Sequence, residues 1–184
     1  MTKSLPEDVY VKHASAIMGN HSYPAKQQKP TLRLRTFDVE AAYLKGKFQE
    51  SEVHHVRPPI GYRTFARGNV PIVWRLKAPL YGEADAGRIW NRTLVQQLVG
   101  VQQFEQSEYD PCYFWKKLPD GTRMDVVMYV DDGFVVDSYS PHADAELDAL
   151  HRAFTVAVKP ARFFLGTNVI VHNQKSVELA AGVT

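Results

Sequence analysis

Apolar residues recur along this chain at two different periods, and the change from one to the other marks its elements. In TLRLRTFDV, Thr31 to Val39, apolar side chains at Leu32, Leu34 and Phe37 alternate with basic ones, the pattern of a half-buried strand that carries Asp38 at its C-terminal end. VEAAYLKGKF follows with good helix formers stopped by Gly46, which predicts a short helix or turn directly after the strand. VHHVRPPIGY is prolyl and turn-like, and VPIVWRLK reads as a further strand. From Asp85 to Val99 the spacing of Ile89 or Trp90, Leu94 and Leu98 predicts a helix ending at Gly100. CYFWKKL and DVVMYV predict strands joined through Pro119, Asp120 and Gly121, and GFVVDS returns as the next one. Ser140 and Pro141 open a second helix whose face carries Ala143, Leu147, Leu150 and Phe154, and FFLGTNVIVH supplies a last strand pair or hairpin arm. Residues 1–30 carry Gly19, Asn20, Pro24 and Pro30 with little periodicity and are expected to be irregular. The order of elements predicts an α+β domain over residues 31–184, built on a largely antiparallel sheet.

Composition changes this picture little. The 184 residues, 45% of them hydrophobic, suit one globular domain, and a net charge of +2 neither demands nor excludes a nucleic-acid partner. Basic residues including Arg33 and Arg35 dominate before Asp38, whereas the helix around Asp144, Glu146 and Asp148 is acidic. The single cysteine, Cys112, forbids an internal disulfide and is expected to serve packing in a reducing compartment. The N-terminus lacks the apolar core of a signal peptide and no run approaches the roughly 20 apolar residues of a membrane span, so a cytoplasmic or nuclear protein without a membrane partner is expected.

The chemistry concentrates in MDVVMYVDDGFVVD, where Asp131 and Asp132 stand between two apolar runs. An unpaired buried carboxylate is costly, so the two belong at a turn, on a metal, or both. Asp followed by Gly suits a two-residue hairpin turn, which is the bland reading. The functional reading needs a third carboxylate at a strand end, and TFDVEAAYL offers Asp38. Clustered carboxylates suit Mg²⁺, a hard cation that shares oxygen ligands with phosphates.

FDVEAAYLKG, RPPIGY, VWRLKAPLYGEADAGRIWN, YDPCYFWK, MYVDD and FFLGTNV, taken together and in order, resemble the reverse transcriptase of Ty1/copia-type retrotransposons over about Thr36 to Val169. The resemblance implies a right-hand polymerase palm, an antiparallel sheet packed on helices, in which Asp38, Asp131 and Asp132 are catalytic and bind two Mg²⁺ ions, or Mn²⁺ in their place. The backbone carbonyl of Val39 is a further implied ligand. Because consecutive strand residues point to opposite faces, only one of the adjacent pair can face Asp38 squarely, and Asp131 is the one expected to do so. The partners implied are an RNA or DNA template with its primer, and a dNTP.

The same resemblance places Tyr43 under the sugar of the incoming nucleotide, where a ring would clash with a ribose 2′-hydroxyl; the alternative is that Tyr43 packs on the sheet. It puts Tyr81 and Gly82 near the nascent base pair, with Gly82 letting backbone approach the substrate, and Arg88 near phosphate or in solvent. Trp90 reads as core and Asp110 with Pro111 as structural. His54 and His55, adjacent in sequence, cannot both aim at one zinc ion from a strand, and Lys116 with Lys117 reads as a solvated strand end.

The likeness frays at both ends. Residues 1–30 do not resemble the family's fingers, VAVKPARFFLG replaces an acidic-glycine turn, and nothing after Thr184 supplies a thumb, ribonuclease H or integrase. The expectation is therefore a truncated palm with incomplete fingers, either an RNA-directed DNA polymerase with its metal site intact or a non-catalytic remnant with at most weak nucleic-acid or protein binding. A two-metal nuclease uses similar ligands but gives no reason for Tyr43 or the LYG stretch.

Overall fold

Strand β1, Arg33–Val39, occupies an inner position in a sheet to which the other strands attach on either side. The computed structural model describes residues 31–173 and 176–181, so the segment read as irregular at 1–30 lies outside the described residues. After β1 come α1 (Ala42–Lys45), the two-residue strands β2 (His55–Val56), β3 (Phe65–Ala66), β4 (Val70–Pro71) and β5 (Trp74–Arg75), and α2 (Ala86–Val95). The chain continues through β6 (Glu105–Gln106), β7 (Tyr113–Lys117), β8 (Arg123–Tyr129), β9 (Asp132–Asp137), α3 (Pro141–Phe154) and β10 (Val156–Pro160). It closes with β11 (Phe163–Phe164), β12 (Thr167–Asn173) and β13 (Ser176–Ala181).

Two compact units result. One comprises the described residues up to Glu40 together with those from Val95 onward; the other is Ala41–Leu94. A reading of 31–184 as one domain does not separate them.

The first unit holds a six-stranded antiparallel sheet in the order β10-β1-β9-β8-β7-β6 and a three-stranded sheet β11-β12-β13. Alternation along each strand sorts the side chains of the large sheet onto two faces. One face carries Phe37, Val39, Val135, Val126 and Met128, with the buried residues Ala143, Leu147, Leu150 and Phe154 of α3 in the same unit. The other carries Val127, Phe134 and Val136, which form a buried cluster with Ala161, Phe164 and Val169; Cys112 packs against it, as expected of a packing residue. Ser140 caps α3 by accepting a hydrogen bond from the His142 amide at 3.2 Å, and Thr155, at φ 60°, ends the helix with its amide on the His151 carbonyl.

On the helix side, Asp137 is fully buried yet bridged by two arginines, Arg33 at 2.9 Å and Arg35 at 2.8 Å, which also share Asp144 at 2.6 and 2.7 Å. Burial pushes the Asp144 carboxyl upward, but hydrogen bonds from Arg33 and Arg35 outweigh it and hold the group below its ordinary value. Arg33 and Arg35 of the basic stretch and Asp144 of the acidic helix thus belong to one internal network. Lys116 differs likewise from a solvated strand end: its ammonium reaches Glu146 at 2.5 Å and the Gln102 carbonyl at 2.6 Å.

The second unit departs most from the hydrophobic pattern. VPIVWRLK is two fragments rather than a strand, β4 pairing with β3 and β5 with β2 on either side of Ile72 and Val73, and its large apolar side chains Val70, Ile72, Val73 and Trp74 lie exposed. Helix α2 runs on past Gly100 through a π-helical turn, Gln96–Val101, and buries Ile89, Trp90, Leu94 and, in that turn, Leu98. Gly46 ends α1 at φ −58°, so it is not a left-handed cap; a Cβ there would meet the Tyr43 carbonyl at 3.0 Å, Pro79 at 3.1 Å and Ile89 at 3.2 Å, and close packing requires the glycine.

Gly133 is likewise not a turn residue. It lies inside β9 opposite Phe37, whose ring fills the space of a side chain, and an added Cβ would sit 2.2 Å from a ring carbon. Gly133→Ala should lower stability by about 3 kcal/mol, the upper range of overpacking costs, and Phe37→Leu on that background should restore part of the loss. Urea unfolding of the two single variants and the double variant measures this; equal, additive losses would show that the ring does not impose the glycine.

Candidate functional site

Asp38 and Asp132 are register partners on adjacent antiparallel strands and therefore project from the same face of the sheet. The Val39 amide donates to the Asp131 carbonyl at 3.0 Å, which makes Val39 and Asp131 a hydrogen-bonded pair. Antiparallel pairs alternate, so Asp38 and Asp132 occupy a non-hydrogen-bonded position, where Cα atoms stand only about 4.5 Å apart and side chains are closest. Asp132 also pairs with Tyr129 across β8, and Asp38 with Ala157 across β10, so one row reads Tyr129, Asp132, Asp38, Ala157. The next row on that face holds Phe134 and Val127, the edge of the buried cluster. The carboxylates thus stand where apolar cover stops.

Asp131 is in the turn, not in a strand. Tyr129 pairs with Asp132, leaving Val130 and Asp131 as the two central residues of the hairpin, and Val130 takes φ 56°. A β-branched residue in the left-handed region is strained by roughly 1–2 kcal/mol. The two-residue turn read from sequence is present, but two residues earlier than an Asp132-Gly133 turn would place it, and it is Asp132 rather than Asp131 that faces Asp38.

The electrostatics single out the same residue. Burial raises the Asp132 carboxyl above its ordinary value, and the neighbouring charges of Asp131 and then Asp38 raise it further. Among the described residues, no lysine, arginine or histidine forms an ion pair with Asp38, Asp131 or Asp132, in contrast to Asp137, Asp144 and Glu146. The three acids are an uncompensated negative cluster of hard oxygen donors, the donor chemistry that Mg²⁺ takes. Among the described residues no group of three His, Cys, Asp or Glu side chains forms a ready-made metal cage, so the donor set fits in kind without being a preformed site.

In the second unit the structure brings Tyr43 and Tyr81 together, ring centroids 4.8 Å apart and tilted by 41°. Tyr43 is half-buried and Tyr81 exposed. Gly82, next in sequence, has φ +93° with no atom within 4 Å of where a Cβ would be, so it holds a conformation that favours glycine in an open loop. The Arg88 guanidinium is half exposed and makes only long contacts, 3.4 Å to Asp85 and 3.4 Å to Glu52. Glu52 is engaged instead by Arg92 at 2.5 Å, whose hydrogen bond, with one from the Gln49 amide, holds that carboxyl at about 2. His54 meets Glu83 at 3.0 Å, an ion-pair geometry rather than a metal site. Buried Asp110 accepts from the Cys112 amide at 2.8 Å, in keeping with a structural reading.

Sequence reasoning missed Asp125, buried on β8 where Tyr113 donates to it at 2.7 Å and Arg123 at 2.9 Å; burial and then Asp125 push the Tyr113 hydroxyl upward. Its signal was the alternation of Arg123 and Asp125 along one strand. Among the described residues no helix is long and apolar enough to cross a membrane.

A family model described as reverse transcriptase (RNA-dependent DNA polymerase) matches residues 25–180. Over 140 residues the chain is 25% identical to the retrovirus-related Pol polyprotein from transposon TNT 1-94 of Nicotiana tabacum, an alignment covering 76% of this chain and 10% of that protein. The chain therefore spans about a tenth of the curated relative it matches. Two structures of apo telomerase from Candida tropicalis, one truncated from its C-terminal domain, superpose with TM-scores of 0.46 and 0.47 at 12% and 10% identity, covering 94% and 95% of this chain and 39% and 36% of theirs.

The raised Asp132 carboxyl has a consequence for stability. Its folded value lies above the ordinary 3.8, so its contribution favours folding below that pH and is lost as pH rises through the folded value; at pH 7 the charged group opposes folding. Asp132→Asn should raise the melting temperature at pH 7, with the difference closing below about pH 4. Thermal melts across pH check this; a variant less stable than wild type at pH 7 would contradict it.

Proposed function

The chain belongs to the reverse transcriptase (RNA-dependent DNA polymerase) family, in its copia-type branch, and from that premise we propose that it carries the polymerase palm. Its reaction is transfer of a nucleotide from a dNTP to a primer 3′-hydroxyl on an RNA or DNA template. The observation that carries the reading is the opposition of Asp38 and Asp132 on adjacent strands, with no cationic side chain among the described residues paired to either. Like charges directly opposite are destabilising, and a fold that retains them gains only if a cation joins them.

Asp38, Asp132 and Asp131, with the Val39 carbonyl, would hold two Mg²⁺ ions. When bound, such ions make the primer hydroxyl a better nucleophile and stabilise charge on the leaving oxygens. The chain's own part is positioning. The Val39 amide on the Asp131 carbonyl ties the hairpin turn to β1, so the acids of both strands keep one register. Tyr43, backed by Tyr81, would present its ring to the sugar of the incoming nucleotide and exclude a 2′-hydroxyl. Gly82 would admit the substrate close to backbone, and the loosely paired Arg88 would meet phosphate.

One observation favours the non-catalytic reading, the lack of a converged group of three acids among the described residues. Primer extension separates the two. The wild type should extend a primer on an RNA template with Mg²⁺, and Asp38→Asn or Asp132→Asn should each reduce the rate by more than the roughly 10–100-fold that loss of a metal's outer-shell partner costs. Absence of extension by a folded wild type supports the remnant. Tyr43→Val should raise ribonucleotide incorporation relative to deoxyribonucleotide by about ten-fold, measured as a ratio of kcat/KM; an unchanged ratio would assign Tyr43 to packing.

A further inference from the structure

Residues 55–75 form a two-storey hairpin arm within the second unit. His55 and Val56 pair with Arg75 and Trp74 at its foot, the Leu76 amide closing on the His54 carbonyl, while Phe65 and Ala66 pair with Pro71 and Val70 above. The tip is the three-residue loop Arg67, Gly68 and Asn69, whose last two residues have φ of 81° and 61°. Every residue from Pro59 to Arg75 is exposed. That exposure includes Tyr62 at 68%, Phe65 at 57% and Trp74 at 45%, with Tyr62 and Trp74 holding each other edge to face at 6.2 Å.

Its charge is all of one sign. Arg57, Arg63, Arg67, Arg75 and Lys77 lie in the segment 57–77, which contains no aspartate or glutamate. Among the described residues no carboxylate forms an ion pair with any of the five, although Arg88 and Arg92 of the same unit are paired. Exposed apolar area of this extent marks a surface that meets something. Cations along the arm select a polyanion, and ring faces between them suit stacked bases, which only an unpaired strand presents.

We propose that the 55–77 arm is a docking surface for single-stranded nucleic acid, its arginines on the phosphates and Tyr62, Phe65 and Trp74 stacking on bases. It deepens the polymerase reading and rests on it only for the class of polymer bound. Sequence preference is weak, since every base offers a ring face. A duplex is held less well, because its bases are already stacked on one another.

The test is fluorescence anisotropy of the full chain with labelled oligo(rU), oligo(dT) and a duplex of equal length, with EDTA and without nucleotide. Tyr62→Ala and Trp74→Ala should each weaken single-strand binding about ten-fold and leave the salt slope unchanged. The triple substitution Arg63→Gln, Arg67→Gln, Arg75→Gln should flatten the slope of log affinity against log salt by about two. Thermal melts of these surface variants confirm folding. Unchanged affinity in the ring and charge variants would overturn the proposal, as would ring variants that lose only self-association in sedimentation, which would assign the arm to a second copy. Binding that survives where primer extension is absent overturns the polymerase alone; extension that survives while the arm variants bind normally overturns the arm alone.

Discussion

Two carboxylates directly opposite each other on neighbouring strands, at the position where antiparallel side chains come closest, form the constraint on which the rest of this chain depends. A sheet gains from opposite charges or apolar pairs at such positions and loses from like ones. Asp38 and Asp132 are placed there by register, and register is pinned by Phe37 over Gly133 one step along and by the Val39 amide on Asp131 one step the other way. A slip of one residue would turn Asp38 to the helix side and drive the Phe37 ring out of its slot.

The fold treats its acids in two ways, and the contrast separates scaffold from site. On the helix face Asp137 and Asp144 are each bridged by Arg33 and Arg35, and Glu146 by Lys116, so buried charge is neutralised within the protein. Asp38 and Asp132 on the opposite face and Asp131 in the turn have no cationic partner among the described residues, and burial, with the charges of Asp131 and Asp38, raises the Asp132 carboxyl. Val130 in its left-handed turn adds strain at the same spot. Strain and uncompensated charge in one place have the character of a site in which stability is given up for chemistry.

Much of the first unit was legible in the sequence because its signals are local and its strands are covered by what they predict. The period-2 run that carries Asp38 and the Ser140-Pro141 helix start with its face of Ala143, Leu147, Leu150 and Phe154 fold where the pattern puts them, and the YVDD hairpin forms with its turn displaced towards Val130. What the pattern does not carry is contact across strands. Gly133 reads as turn chemistry until Phe37 is seen above it, and the choice between Asp131 and Asp132 depends on which residues occupy a two-residue turn. VPIVWRLK reads as a strand from its apolar run, yet it forms two short fragments whose large apolar side chains Val70, Ile72, Val73 and Trp74 lie exposed, since pairing and burial depend on neighbours that no local pattern records. Arg33 and Arg35 at alternate positions of an inner strand, like Arg123 and Asp125 on β8, signal that opposite charges must meet them.

The proposed chemistry requires that the row of acids across β1 and β9 grasp a divalent cation jointly. Isothermal titration of Mn²⁺ into the wild type, Asp38→Asn and Asp132→Asn tests it most directly, since it reads binding without catalysis. Measurable binding by the wild type and its loss in both variants are expected, although the two residues belong to separate strands. Binding of equal affinity in all three proteins would contradict it.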